Sequence, residues 1–341
     1  MINVLFFIIP SLIGFFFAMN MGGSGVSPAF SMAYHSNWLN KKLIPVLFGV
    51  FVFIGALFSL DKVDFTLSRG IIPSGLMKIT VVTIIMIASS VSLLIANILR
   101  VPQSTSQVVV FSILGVALYY RAVKYDKFFY EISPLWITLP LVMFILLYLF
   151  GKYGDRCLRK KIYIPHKCIA SKIVRIGGIA AGCYVAFALG TNNIANVLAP
   201  LLTMFANELR VEILFQIKNP IVLITLLISS LGFGMGAAVF GKKNMETAGK
   251  EITSITPLAS FSISGLTASV LFVLSISFGL PISLVQMHIA SIIGYASGKN
   301  GIKSTFKNYT IRKILWVWLA APITSMAITL FLLLITEGFS N

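Results

Sequence analysis

Pro102, Ser104 and Gln107 recur as Pro281, Ser283 and Gln286, and the identities run on through Ser112, Ile113 and Gly115, which fall on Ser291, Ile292 and Gly294. A hydroxyl and a carboxamide placed shortly after a proline do no covalent chemistry. They are hydrogen-bonding groups able to replace the hydration shell of a small polar solute. Both copies open an apolar run, VPQSTSQVVVFSILGVAL from Val101 to Leu118 and LPISLVQMHIASIIGYAS from Leu280 to Ser297. If those runs lie in a membrane, backbone interrupted beside them must line a protected cavity. Paired interruptions in the two halves of a hydrophobic chain are the sequence mark of a transporter's binding site.

A second pair stands earlier in each half, FAMNMGGSGVSPAF from Phe17 to Phe30 and FALGTNNIANVLAP from Phe187 to Pro200. Each is predicted to break a long helix, and the N-terminus of a resumed helix offers unpaired N–H groups to an anion. Gly22, Gly23 and Gly25 are equally suited to close helix packing. Thr191, Asn192, Asn193 and Asn196 are different, because polar side chains within an apolar span point to function. With Ser24, Ser104, Thr105, Ser106, Gln107, Ser283 and Gln286 these residues form the expected substrate-binding set.

Other chemistries are poorly served. Cys157, Cys168 and Cys183 are odd in number and lack metal-ligand spacing, so no disulfide framework, metal or cofactor is expected. His288 is the one histidine within an apolar run, and an unperturbed pKa of ~6.5 makes it the candidate proton carrier, with helix packing as the competing role. His35 and His166 fall in predicted loops and are given no role. Gly23-Ser24-Gly25 with His288 also resembles the nucleophile turn and base of an intramembrane serine protease. The long separation of the two residues and the internal duplication, which a protease does not need, argue against an enzyme; a channel suits two opposed, unlike repeats still less.

The elements that must position these groups are membrane segments. Hydrophobic residues make up 57% of the chain and charged residues only 11%, with a mean hydropathy of +0.94, which excludes an ordinary soluble domain. The net charge of +17 lies between apolar runs rather than on one face, so no nucleic-acid partner is expected. The N-terminal apolar run has no Lys or Arg before it and reads as a first span rather than a signal peptide. Runs long enough to approach the ~30 Å of a bilayer core occur at 4-33, 43-60, 76-99, 102-118, 134-150, 173-206, 220-240, 257-278, 281-297 and 314-335. The two 17-residue runs that open with the repeated proline, at 102-118 and 281-297, can span or re-enter.

The loop from Gly151 to Arg175 carries eight basic residues and one acid, and is predicted to be cytoplasmic. Ten crossings counted outward from it place 19 of the 27 Lys and Arg inside, with both termini and 7 of the 10 acids outside. Five crossings per half force opposite insertion. The expected fold is therefore an all-α polytopic membrane protein of two inverted-topology repeats, 1-150 and 176-341, joined by a basic linker at 151-175, with broken helices or re-entrant hairpins.

GTNNIANVLAP, from Gly190 to Pro200, resembles the GANDxANAxxP signature of the inorganic phosphate transporter (PiT) family. The Pro-x-Ser-x-x-Gln pair resembles that family's PxSTT[HQ] element, and KNMETAGKEITSITP, from Lys243 to Pro257, is similar to its METIGKxIxxLTP stretch. The resemblance spans both halves and implies a cation-coupled anion transporter in the cell membrane. Asn193 and Gly25 stand where the family signature has Asp, and FAMNMGGSG resembles the sulfate permease branch. In the second hairpin Leu284 and Val285 replace the hydroxyls that Thr105 and Ser106 keep.

Those departures have a physical meaning. Sulfate carries no proton at neutral pH and needs only donors, whereas phosphate keeps a P–OH that a carboxylate accepts well. No Asp or Glu lies mid-span. Sulfate is thus the expected anion and the proton the expected coupling ion, with a sodium- or proton-coupled phosphate transporter as the alternative; a homodimer is left open.

Overall fold

The computed structural model describes residues 5–59, 70–124, 126–154, 172–211, 216, 218–248, 252, 255 and 257–338. Every regular element among them is helical. The first half contains α1 (Leu5–His35), α2 (Leu43–Ser59), α3 (Ile79–Ile98), α4 (Thr105–Tyr119) and α5 (Ser133–Leu149). The second contains α6 (Lys172–Asn193), α7 (Ala195–Leu209), α8 (Pro220–Val239), the short α9 (Gly241–Glu246), α10 (Pro257–Phe278), α11 (Leu284–Asn300), the short α12 (Ile302–Phe306) and α13 (Tyr309–Gly338). Most of the basic linker, including Arg159, Lys160, Lys161 and His166, lies outside the described residues, as do Cys157 and Cys168.

Each apolar run of the sequence becomes a helix, with α6 and α7 sharing one. Seven helical stretches among the described residues are long and apolar enough to cross a membrane, while α2 and α4 are shorter apolar helices. α4 has 15 residues; at about 1.5 Å per residue it reaches only ~22 Å. That is short of the ~30 Å of a bilayer core, and the sequence leaves this run able to span or re-enter.

The outer surface is apolar, as a lipid-facing surface must be. α5 buries only Trp136, Met143 and Leu147 and leaves Ile137 71% and Leu141 54% exposed. α13 likewise turns Trp316, Leu319 and Phe331 outward. A water-soluble protein does not expose patches of this extent. An ion pair of Lys127 with Glu131 sits at the start of the π-helical turn before α5.

Inside, helices are drawn together by glycine. A Cβ on Gly22 of α1 would lie 2.1 Å from the Phe233 carbonyl oxygen of α8, and one on Gly190 of α6 would lie 2.1 Å from the Val52 carbonyl oxygen of α2. The contacts are returned, by Gly236 on Met19 and by Gly55 on Phe187. Close backbone approach of this kind drives helix association where lipid removes the hydrophobic incentive. Several pairings are reciprocal: α1 packs on α8 and α3, α6 on α2 and α10, α4 on α13, and α5 on α11, whereas the packing of α3 on α13 has no comparable counterpart between α10 and α5 among the described residues.

One expectation is overturned. α1 does not break at Gly22, Gly23 and Gly25 but continues as one helix from Leu5 to His35, through Pro28. Gly22 and Gly23 pack directly on α8 and on Phe240, so their value is clearance and not freed backbone. In the second half the interruption is slight, a single residue, Ile194, between α6 and α7.

Candidate functional site

Two helices begin inside the protein. α4 and α11 each follow an extended proline segment, and each is capped by its serine: Ser104 Oγ accepts from Gln107 N at 3.3 Å and Ser283 Oγ from Gln286 N at 3.2 Å. The caps satisfy one of the donors that open an α-helix and leave the N–H groups just before it to a ligand. Gln286 Nε2 donates to Gln107 Oε1 at 2.7 Å, and Ser106 Oγ lies 3.4 Å from the Ile282 carbonyl oxygen. The N-termini of α4 and α11 therefore abut, and their positive dipole ends add at one place. This is an anion-attracting geometry.

The proline segments are held from across the molecule. Trp318 Nε1 of α13 donates to the Pro102 carbonyl at 2.9 Å, and Trp136 Nε1 of α5 donates to the Pro281 carbonyl at 2.8 Å. Ser24 closes on the first segment, donating to Gln103 O at 2.8 Å and accepting from Gln103 N at 2.7 Å. Asn192 closes on the second, its Nδ2 donating to Leu280 O at 2.8 Å and to Ser275 Oγ at 3.0 Å. When Gly22 is set on Gly190, Ser24 falls on Asn192. Both were expected as ligand donors; their donor groups are instead occupied in clamping the hairpins.

Asn196 reaches from α7 into the first hairpin. Its Nδ2 donates to Thr105 Oγ1 at 3.2 Å and to Ser106 Oγ at 3.3 Å. A hydroxyl that accepts must send its own proton elsewhere. The Thr105 proton is thereby not used by Asn196, and Thr105, the first residue of α4, is only 2% exposed. Thr191 turns its hydroxyl back to the Ala188 carbonyl at 2.7 Å, which makes it a local helix bond rather than a ligand group. Gly25 packs against the ring of Phe48.

Several buried amide atoms have no partner: Oδ1 of Asn192, Asn193 and Asn196, Oε1 of Gln286, and both polar atoms of Gln103. Buried polar groups are almost always hydrogen-bonded, so such a cluster marks a place where something else supplies the partners. Gln103 was missed by sequence reasoning because its equivalent in the second copy is Ile282; only its position between Pro102 and Ser104 could have drawn notice. A second missed feature is an amide chain behind Gly23. Asn97 Nδ2 donates to Asn20 O at 3.0 Å, and Asn244 Nδ2 to Asn97 Oδ1 and Gly23 O, each at 2.8 Å. Asn20 and Asn244 were visible inside the recognised motifs, whereas Asn97 is a lone amide in an apolar helix.

His288 lies one helical turn beyond the α11 cap, 5% exposed, with Nδ1 3.4 Å from Thr267 Oγ1. It lines a cavity of about 280 Å³ whose wall also includes Ser31, His35, Ser260 and Ser264. His35, taken from sequence as a loop residue, is in fact the last residue of α1, its Nε2 3.1 Å from the Met245 carbonyl oxygen. No group of three or more metal-ligating side chains occurs among the described residues.

A helical membrane bundle in which two short helices meet N-terminus to N-terminus, with hydroxyls and amides converging between them, is an anion carrier's architecture. The family model described as "Phosphate transporter family" matches residues 21–329, and the chain belongs to that family. It is similar to sulfate permease CysP of Bacillus subtilis (strain 168), 32% identical over 322 residues, which cover 94% of this chain and 85% of that one. A shorter similarity, 28% over 156 residues, covers 45% of this chain and 22% of sodium-dependent phosphate transporter 1 of Pongo abelii. A solved structure titled "The sodium-dependent phosphate transporter" has the same fold, with a TM-score of 0.80, 20% identity and coverage of 98% of this chain and 99% of that one. The protein is thus a multi-pass membrane anion transporter and not a protease.

Proposed function

We propose that the chain imports sulfate by proton symport, by alternating access between two inverted repeats joined by the basic segment on the cytoplasmic side. The observation that carries the substrate reading is the meeting of the α4 and α11 N-termini, where the buried Thr105 hydroxyl accepts from Asn196 and keeps its own proton to donate. Donors, and no mid-span carboxylate, are what a fully deprotonated oxyanion needs. Similarity to a sulfate permease over most of both chains points the same way. The reciprocal helix pairing and the paired Trp136 and Trp318 clasps support the repeat relation. His288, beside the second hairpin and open to a cavity, is the coupling residue in this reading.

One observation favours a second reading. The unpartnered amide oxygens of Asn192, Asn193, Asn196, Gln103 and Gln286 are acceptors, and acceptors suit a sodium ion or the P–OH of phosphate. Uptake of labelled sulfate and labelled phosphate into proteoliposomes, under an imposed pH or sodium gradient, separates the two. Sulfate accumulation driven by the pH gradient is expected. Sodium-driven accumulation at fixed pH, or a preference for phosphate, would replace the first reading by the second. His288→Gln is expected to flatten the pH dependence of uptake while sulfate affinity at one pH is kept; an unaltered pH profile returns His288 to helix packing.

A further inference from the structure

The outer face of the bundle carries a groove that the transport site does not use. α2 and α8 cross where a Cβ on Gly49 would meet Gly234 Cα at 3.3 Å, and the shallow ridge this leaves opens a cavity of about 900 Å³ toward the lipid side. Its walls are apolar and outward-facing, with Val46 58%, Leu231 64% and Met235 49% exposed. One end alone is charged. Lys41 and Lys42 stand immediately before α2, and Lys242 stands in α9, just past the end of α8. Among the described residues no Asp or Glu lines the groove. Ser230 Oγ, on its wall and 5% exposed, is buried without a partner.

We propose that this groove binds an anionic phospholipid, with its phosphate head group between Lys41, Lys42 and Lys242 and an acyl chain lying along α2 and α8. The volume lies at the upper end of the ~300–1,000 Å³ usual for ligand pockets, far more than a free inorganic oxyanion fills, and the long apolar wall has nothing to offer such an ion. Lysines at one level beside a membrane helix attract acidic lipid head groups. The N-terminus of α2 points its dipole to the same place. A second copy is disfavoured as occupant, because a two-fold interface sets each patch against itself and would bring two sets of three lysines to one level. The inference is independent of which anion the protein carries.

Native mass spectrometry of the full-length protein in mild detergent, titrated with phosphatidylglycerol or phosphatidylcholine, tests it. The wild type is expected to retain phosphatidylglycerol in preference. The triple variant K41Q/K42Q/K242Q is expected to lose about fivefold in that affinity per lysine, on the order of 100-fold in all, with phosphatidylcholine little changed. V50W, which fills the groove and keeps the lysines, should lose both lipids. K299Q/K303Q/K307Q removes equal charge elsewhere and should change nothing. The proposal is overturned if the wild type holds the two lipids equally, or if this control triple costs as much as the groove triple. It is also overturned if V50W dissolves a protein dimer while lipid adducts persist.

Discussion

The hairpin that starts at Pro102 and the one that starts at Pro281 share a frame and differ in what they carry. In both, a serine caps the helix, a tryptophan of the other half clasps the proline carbonyl, and a polar residue of the half's own first long helix closes the lead-in. Past the cap the first hairpin continues with Thr105 and Ser106 and the second with Leu284 and Val285, all buried. Before the cap stand Gln103 and Ile282. The partner residues differ in step: Asn196 serves the first hairpin's hydroxyls, whereas its equivalent in α1 under the same alignment is Pro28, which has no amide. The sequence repeat supplies two capped helix N-termini, and hydroxyls follow the cap on only one of them. If the anion is held by those hydroxyls, as proposed, its site would lie off an axis relating the halves, toward α4 and α7.

The comparison breaks most sharply at Asn196. Asn196→Leu removes the group that orients two hydroxyls, leaves both without their donor, and makes Thr105 and Ser106 free to turn inward on their own carbonyls. Losing donors to a charged ligand costs about 1.5–3 kcal/mol each, so sulfate affinity is expected to fall on the order of 100-fold. Binding to the purified variant in detergent measures this. A change smaller than that of any single hydroxyl variant would remove Asn196 from its orienting role.

Thr105→Val is the next step down. The substitution keeps the shape, removes one donor, and leaves Ser106 to accept from Asn196, so a loss of about tenfold is expected. Ser106→Ala should cost less, since the Ser106 hydroxyl also faces the Ile282 carbonyl. The reverse order, measured as sulfate affinities of the two variants side by side, would shift the site toward the second hairpin.

Much of this frame is legible in the sequence because membrane helices write themselves as long apolar runs, and because a capping serine three residues before a buried glutamine is a local signal that a repeat doubles. What the sequence does not carry is which way a polar group faces. Ser24 and Asn192 look like ligand donors in one dimension, yet Ser24 donates to the loop before α4, and Asn192 to the loop before α11 and to Ser275 of α10. Gly22 and Gly23 read equally as helix breakers or as close-packing positions, and a helix confined between neighbours keeps its backbone bonds and uses the missing Cβ for contact with α8 and Phe240. Trp136 and Trp318 are unremarkable among aromatic residues until the proline carbonyls they hold are known, because that relation joins opposite halves of the chain.

The smallest effect is the most discriminating. Ser104→Ala and Ser283→Ala remove equivalent caps, so each should lower stability by a similar amount, about 1 kcal/mol, seen as matched shifts in thermal unfolding in detergent. Their effects on binding should part. Loss of the Ser104 cap loosens the turn that presents Thr105 and the first N–H groups of α4, and affinity should weaken several-fold, up to about fivefold for 1 kcal/mol. Loss of the Ser283 cap loosens a turn followed by Leu284 and Val285, which contribute no side-chain donor, and affinity should stay within about twofold. Equal stability loss with unequal binding loss is the signature of one frame used twice and one site used once; if Ser283→Ala weakens sulfate binding as much as Ser104→Ala, the anion sits between the hairpins and not on the first.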